Sequence, residues 1–149
     1  MKPISVTRRI AAPLERVFAT VSDISQFSQA VPQIIKVEFL TEQHVGLGTR
    51  FRETRVMKGH EHVTELDVTE FVENQRIRLV ADQGGTIWDT VFTVSQVADQ
   101  TELAMVMEAR PYKLMAKLGM PMIRGMIVRA IEDDMDAVKA WCEQPPQAG

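Results

Sequence analysis

The stretch MKGHEHVTELDV, residues 57–68, places His60 and His62 two positions apart at the head of an alternating run. Imidazole titrates near neutral pH and serves as a proton carrier or a metal ligand. On an extended strand an H-x-H pair puts both rings on one face. Zinc would need a further ligand, such as Glu53 or His44, and no second cluster of histidine or cysteine stands ready to supply it. Metal is the weakest reading, and no cofactor is expected. Three alternatives stay open: acid–base chemistry by His60, His62 or Glu53, polar contact with a bound molecule, and a solvated strand end.

The direction of these side chains depends on the strand that carries them. His60, His62 and Thr64 share their parity with Leu66 and Val68, so an unbroken strand would send both imidazoles inward with the apolar pair. A bulge would reverse the assignment. In RFRETRVM, Glu53 and Arg55 share a face with Phe51 and Met57. If Phe51 points inward, this charged pair lies along an interior where each ion needs the other. The opposite set, Arg52, Thr54 and Val56, is no cleaner, and surface ion pairs are the default.

Periodicity supplies the elements. ISVTRRI, residues 4–10, alternates as a half-buried strand. AAPLERVFATVSD then carries Leu14, Val17, Phe18 and Val21 on a helical stripe, with Pro13 suited to a first turn. A second short helix is expected over Ser25–Ala30, stopped before Pro32. From Ile34 to Arg110 six strands follow one another through hairpin-length links, among them Gly84-Gly85, which implies an antiparallel meander. From about Tyr112 to Glu143 the pattern is helical, through Ile127, Ile131, Met135, Val138 and Cys142. Pro121 and Gly119 predict a short helical piece and then a long one. The tail from 144 to 149 is expected to fray.

Composition narrows the function classes. A chain of 149 residues can bury roughly 70 % of its unfolded surface, enough for a core with a cavity. The net charge of −3, with 17 basic and 20 acidic residues, argues against nucleic acid as a partner. No window reaches the roughly 18 apolar residues of a membrane span, so the chain is expected to be soluble and cytoplasmic, as one domain over residues 1–149. Cys142 is the sole cysteine and reads as a buried or idle thiol. Oligomeric state is not legible.

The order of these elements, together with IAAPLERVFATVSD (10–23), GLGTRFRE (46–53), VTEF followed by RIRL (68–79), FTV with a following TEL (92–103) and EDDMDAVKAWCE (132–143), resembles the START-like or SRPBCC superfamily, also called polyketide-cyclase-like. The resemblance implies an α+β helix-grip fold like that of the birch-pollen allergen. A curved antiparallel sheet of about seven strands, two short helices after the first strand and a long C-terminal helix would enclose a cavity for an apolar or amphipathic small molecule. It does not imply a resident metal, and it supplies no catalytic set.

Alternation then names a lining. Leu103, Met105, Met107 and Ala109 form one apolar face of TELAMVMEAR. Trp88, Thr90, Phe92 and Val94 form the favoured face of TIWDTVFTV, and Ile77, Leu79 and Ala81 that of RIRLVAD. Met115, Met120, Met122 and Met126 crowd the start of the last helix, where flexible thioethers suit a tolerant wall. The expected binding set is therefore His60, His62, Trp88, Phe92, Leu103, Met105, Met107, Met115, Met122 and Met126. Three functions stay in view: a carrier of a lipid-, quinone- or polyketide-like molecule, a cyclase- or dehydratase-like enzyme with a pocket histidine, and a protein-interaction module with a filled cavity.

Overall fold

The computed structural model describes residues 2–145. Strand β1 (Ile4–Ile10) leads through α1 (Leu14–Ser22) and α2 (Ile24–Ala30) to β2 (Ile34–Phe39), β3 (Arg50–Met57), β4 (His60–Val72), β5 (Arg76–Gln83), β6 (Thr86–Val97) and β7 (Gln100–Pro111). Helix α3 (Leu114–Glu143) closes the chain. The seven strands form one antiparallel sheet in the order β1-β7-β6-β5-β4-β3-β2. Everything after β2 is a meander, and β1 returns to pair with β7, as the short links required.

The hairpins are set by turn chemistry. Lys58 and Gly59 both take positive φ between the paired Met57 and His60, and Gly84 and Gly85 do the same between Gln83 and Thr86. Two residues of positive φ match the strand twist in a two-residue hairpin. At Gly85 a Cβ would also fall 2.8 Å from the Lys113 side chain, and the Gly85 carbonyl accepts the Tyr112 and Lys113 N–H groups. The β5–β6 hairpin thereby seats the start of α3.

The core fills the concave face of the sheet. Ile10, Ile77 and Leu103 from the strands meet Val17 of α1 and Met135 and Val138 of α3, all fully buried. The C-terminal half of α3 is fastened by polar contacts as well. Arg8 of β1 donates to Asp136 at 2.6 Å, Glu143 accepts the Ala11 N–H, and Arg16 donates to the Trp141 carbonyl.

Helix α3 departs from expectation. It is one helix of thirty residues running through Pro121, where a short piece and a long one were expected. Proline deletes a single ladder hydrogen bond, and Pro121 is exposed, where water can satisfy the carbonyl it leaves free. The expected fraying beyond Glu143 falls mostly outside the described residues.

Candidate ligand cavity

Between sheet and α3 lies a cavity in two adjoining compartments, of about 130 and 320 Å³. Leu66, Thr90, Met105 and Met107 wall both, with Glu53, Arg55 and Asp134. The first compartment reaches toward Val21, Phe27 and the loop residues His44, Val45 and Thr49. The second opens between the β3–β4 and β5–β6 hairpins and the α3 residues Met126, Ile127 and Ala130.

Cross-strand rows explain the shape. Met105 stands beside Phe92, which stands beside Ile77, three large side chains in one row. Four residues further along, Trp88 lies between Ala109 and Ala81. Alanines on both sides of an indole leave space above the sheet, and this is where the larger compartment widens.

Strand β3 turns its charged pair inward. Phe51 is buried and fixes the parity, and Glu53 and Arg55 follow on the same face. Arg55 Nη1 donates to Asp134 Oδ1 and Oδ2 at 2.9 and 3.0 Å, and Glu53 Oε1 lies 3.7 Å from Arg55 Nη2. Side-chain exposure is only 13–15 % across the three residues. Burial pushes the carboxyl of Glu53 above the usual carboxylate range, against the opposing pull of Arg55. Asp134 is raised for the same leading reason, with Arg55 again pulling it down. Two carboxyls share one guanidinium, so the cluster is short of one positive charge and favours holding a proton. Arg55 Nε and Thr49 Oγ1 are buried with no hydrogen-bond partner among the described residues.

The two histidines separate. The register pairs His62 with Arg55 and His60 with Met57. Both histidines are exposed, but His62 lines the second compartment beside the ionic cluster, whereas His60 sits at the Lys58–Gly59 turn outside the lining. Strand β4 does carry a bulge, but it falls between Val68 and Glu70, so parity holds from His60 to Val68 and changes only beyond it.

Of the other expected lining residues, Trp88 borders the second compartment and Phe92 the first. Met105 and Met107 border both, and Met126 the second. Three lie elsewhere. Leu103 is fully buried in the core, with β1 beside it, while Met115 and Met122 are 80 % and 86 % exposed on the outer side of α3. The crowding of methionines at the start of α3 therefore does not form one wall. Sequence reasoning missed Asp134 and Phe27. Asp134 lies three residues after Ile131 and four before Val138, on the inner stripe, and that spacing was the available signal.

Other polar residues prove structural. The Tyr112 hydroxyl donates to Asp82 at 2.7 Å and ties the exit of β7 to β5. Cys142 is buried with its thiol 3.4 Å from Thr20 Oγ1, and burial raises its pKa. Among the described residues no group of three or more potential ligands could hold a metal ion.

A curved sheet gripping a long helix over an apolar cavity defines the helix-grip class. The chain belongs to the family described as polyketide cyclase / dehydrase and lipid transport, whose profile matches residues 1–143. Solved structures agree on the fold. A START superfamily protein from Mycobacterium smegmatis is 21 % identical, with a TM-score of 0.75 over 95 % of this chain and 97 % of that one. Ara h 8.0201 is 12 % identical, with a TM-score of 0.75 over 95 % and 97 % of the two chains. The di-domain ARO/CYC BexL from the BE-7585A biosynthetic pathway is 17 % identical, with a TM-score of 0.79 over 97 % of this chain and 51 % of that one. No curated protein sequence matches the chain.

Proposed function

We propose that the protein binds a small amphipathic molecule in this cavity. Its apolar body would pack on Phe92, Met105, Met107 and Trp88, and a hydroxyl or carbonyl would meet the Glu53–Arg55–Asp134 cluster. One observation carries the reading: a mainly apolar cavity holds a buried ionic cluster with hydrogen-bonding capacity left over. A few placed polar groups in an apolar lining are what orient a ligand. The larger compartment, about 320 Å³, lies at the lower end of the roughly 300–1,000 Å³ usual for such sites, which favours a compact ligand. Family membership supports the same class.

Native mass spectrometry of freshly purified protein, followed by organic extraction, tests this reading. The expected result is an adduct of discrete mass carrying an apolar skeleton with a polar end. A bare chain that stays bare after exposure to a panel of such compounds contradicts it.

A second reading, acid–base catalysis on a carbonyl compound, is supported by the raised carboxyls of Glu53 and Asp134 and by His62 facing Arg55. His60 has no part in it, being outside the cavity. Turnover of a bound compound that disappears in both Glu53→Gln and Asp134→Asn would favour this reading. Turnover that survives both, together with His62→Ala, would end it.

A further inference from the structure

The N-terminal half of α3 carries an apolar stripe that no described part of the chain covers. Leu114, Leu118, Met122 and Met126 recur at four-residue steps with Met115 beside them, and all are between 50 and 86 % exposed. A contiguous apolar face of this kind marks an interaction surface, unlike singly scattered apolar residues.

The charge around the stripe has one sign. From Tyr112 to Ile131 the chain carries Lys113, Lys117, Arg124 and Arg129 and no acid, in a protein whose net charge is −3. Acids return immediately afterward, at Glu132, Asp133, Asp134 and Asp136. Helix stability does not account for this division. A helix N-terminus favours acids, yet α3 has none in its first turn and no side-chain cap. Nor does packing account for Gly119 and Gly125, where an added Cβ would meet nothing within 4 Å.

We propose that this half of α3 docks the protein on an anionic phospholipid bilayer. Leu114, Met115, Leu118 and Met122 enter the interfacial layer while the exposed Lys113 and Lys117 reach the headgroups; Arg124, whose Nη1 donates to the Lys2 carbonyl at 2.7 Å, adds its charge beside them. An apolar face flanked by basic side chains is the pattern of helices that lie in the membrane interface. A second copy of the chain fits this face less well, because a symmetric contact would set the cations of one copy against those of the other. The contact is peripheral, since no helix among the described residues is long and apolar enough to cross a membrane. Met126 belongs both to the stripe and to the larger compartment, so docking brings the cavity against the bilayer. The proposal does not require a filled cavity and is tested without a ligand.

The test is flotation of the full chain with vesicles of phosphatidylcholine alone or mixed with phosphatidylglycerol, at low and high salt. The protein is expected to float with the mixed vesicles only, and less at high salt. Lys113→Gln with Lys117→Gln should weaken partitioning about thirty-fold, at roughly five-fold per basic residue near an anionic surface. Met115→Glu with Met122→Glu should abolish it, with an unchanged circular dichroism spectrum because both side chains are exposed. Failure to float with the mixed vesicles, or flotation that survives the two glutamates, overturns the proposal. So does a dimer in light scattering that the same glutamates dissolve, which would assign the face to a second copy.

Discussion

Arg55 of β3 holds Asp134 of α3 through both carboxylate oxygens, at 2.9 and 3.0 Å, across the interior between the sheet and the helix that grips it. With both side chains 13 % exposed, this is, among the described residues, the one ion pair between sheet and α3 that is largely removed from water. Removing Asp134 leaves a buried guanidinium with only Glu53 nearby. Asp134→Ala should cost about 3 kcal/mol in urea unfolding, as breaking a buried pair does. Asp136→Ala, at the exposed contact with Arg8, should cost under about 1 kcal/mol. Because Glu53 can take over part of the pairing, Glu53→Ala with Asp134→Ala should lose more than the sum of the single changes.

The same cluster sets a pH dependence. Glu53 has a folded pKa above its ordinary value of 4.5, so the folded state binds its proton more tightly than the unfolded state. Its contribution to stability is complete below about 4.5 and is lost as pH rises through the raised folded value. Glu53→Gln removes that loss. The variant should gain stability relative to the parent as pH rises toward neutral and show no such gain in acid. Denaturation midpoints measured across pH check this, and a gain confined to low pH would contradict it.

Asp89 works in the opposite direction. On the outer face of the sheet it accepts from Arg78 at 2.6 and 2.8 Å and from Arg110 at 3.1 Å, and the Arg78 contact leads in holding its carboxyl below the usual range. Its contribution is present above the ordinary aspartate value and fades as pH falls through the lowered one. Asp89→Asn should flatten the acid limb of the stability profile while leaving probe uptake in the cavity unchanged.

Gly119 and Gly125 lie inside α3 with open space where a Cβ would go. Gly119→Ala and Gly125→Ala should each raise stability by about 0.5–1 kcal/mol, chiefly by restricting the unfolded chain. A lower unfolding midpoint for either would show that the glycine serves a packing role after all.

Much of this architecture is legible in the chain. Alternation assigns the inward faces of β5 and β7, and in β6, where Ile87 and Val91 compete on the other face, the two aromatics and the exclusion of Asp89 decide for Trp88 and Phe92. His62 keeps the parity of Leu66 and Val68 because the bulge in β4 lies beyond Val68, a position the sequence does not mark. Three features escaped for definite reasons. Asp134 is hidden in a run of acids, Glu132 to Asp136, of which only one turns inward to Arg55. Glu53 and Arg55 read as surface charges because their partner comes from a helix about eighty residues away in sequence, a contact no local pattern encodes. Met115 and Met122 were grouped with Met126 by composition, whereas the wall takes residues by their direction around the helix.

The space between sheet and α3 is proposed to take up an apolar or amphipathic small molecule. Titration of the full chain with a fluorescent fatty-acid probe, for the parent and for Met107→Asp, tests it most directly. Met107 borders both compartments, so an aspartate there puts an unpaired charge against any bound apolar chain. The expected result is saturable uptake of one probe per chain, lost in Met107→Asp and retained in His60→Ala, with all three proteins equally folded. No saturable uptake by the parent, or uptake unchanged in Met107→Asp, would contradict it.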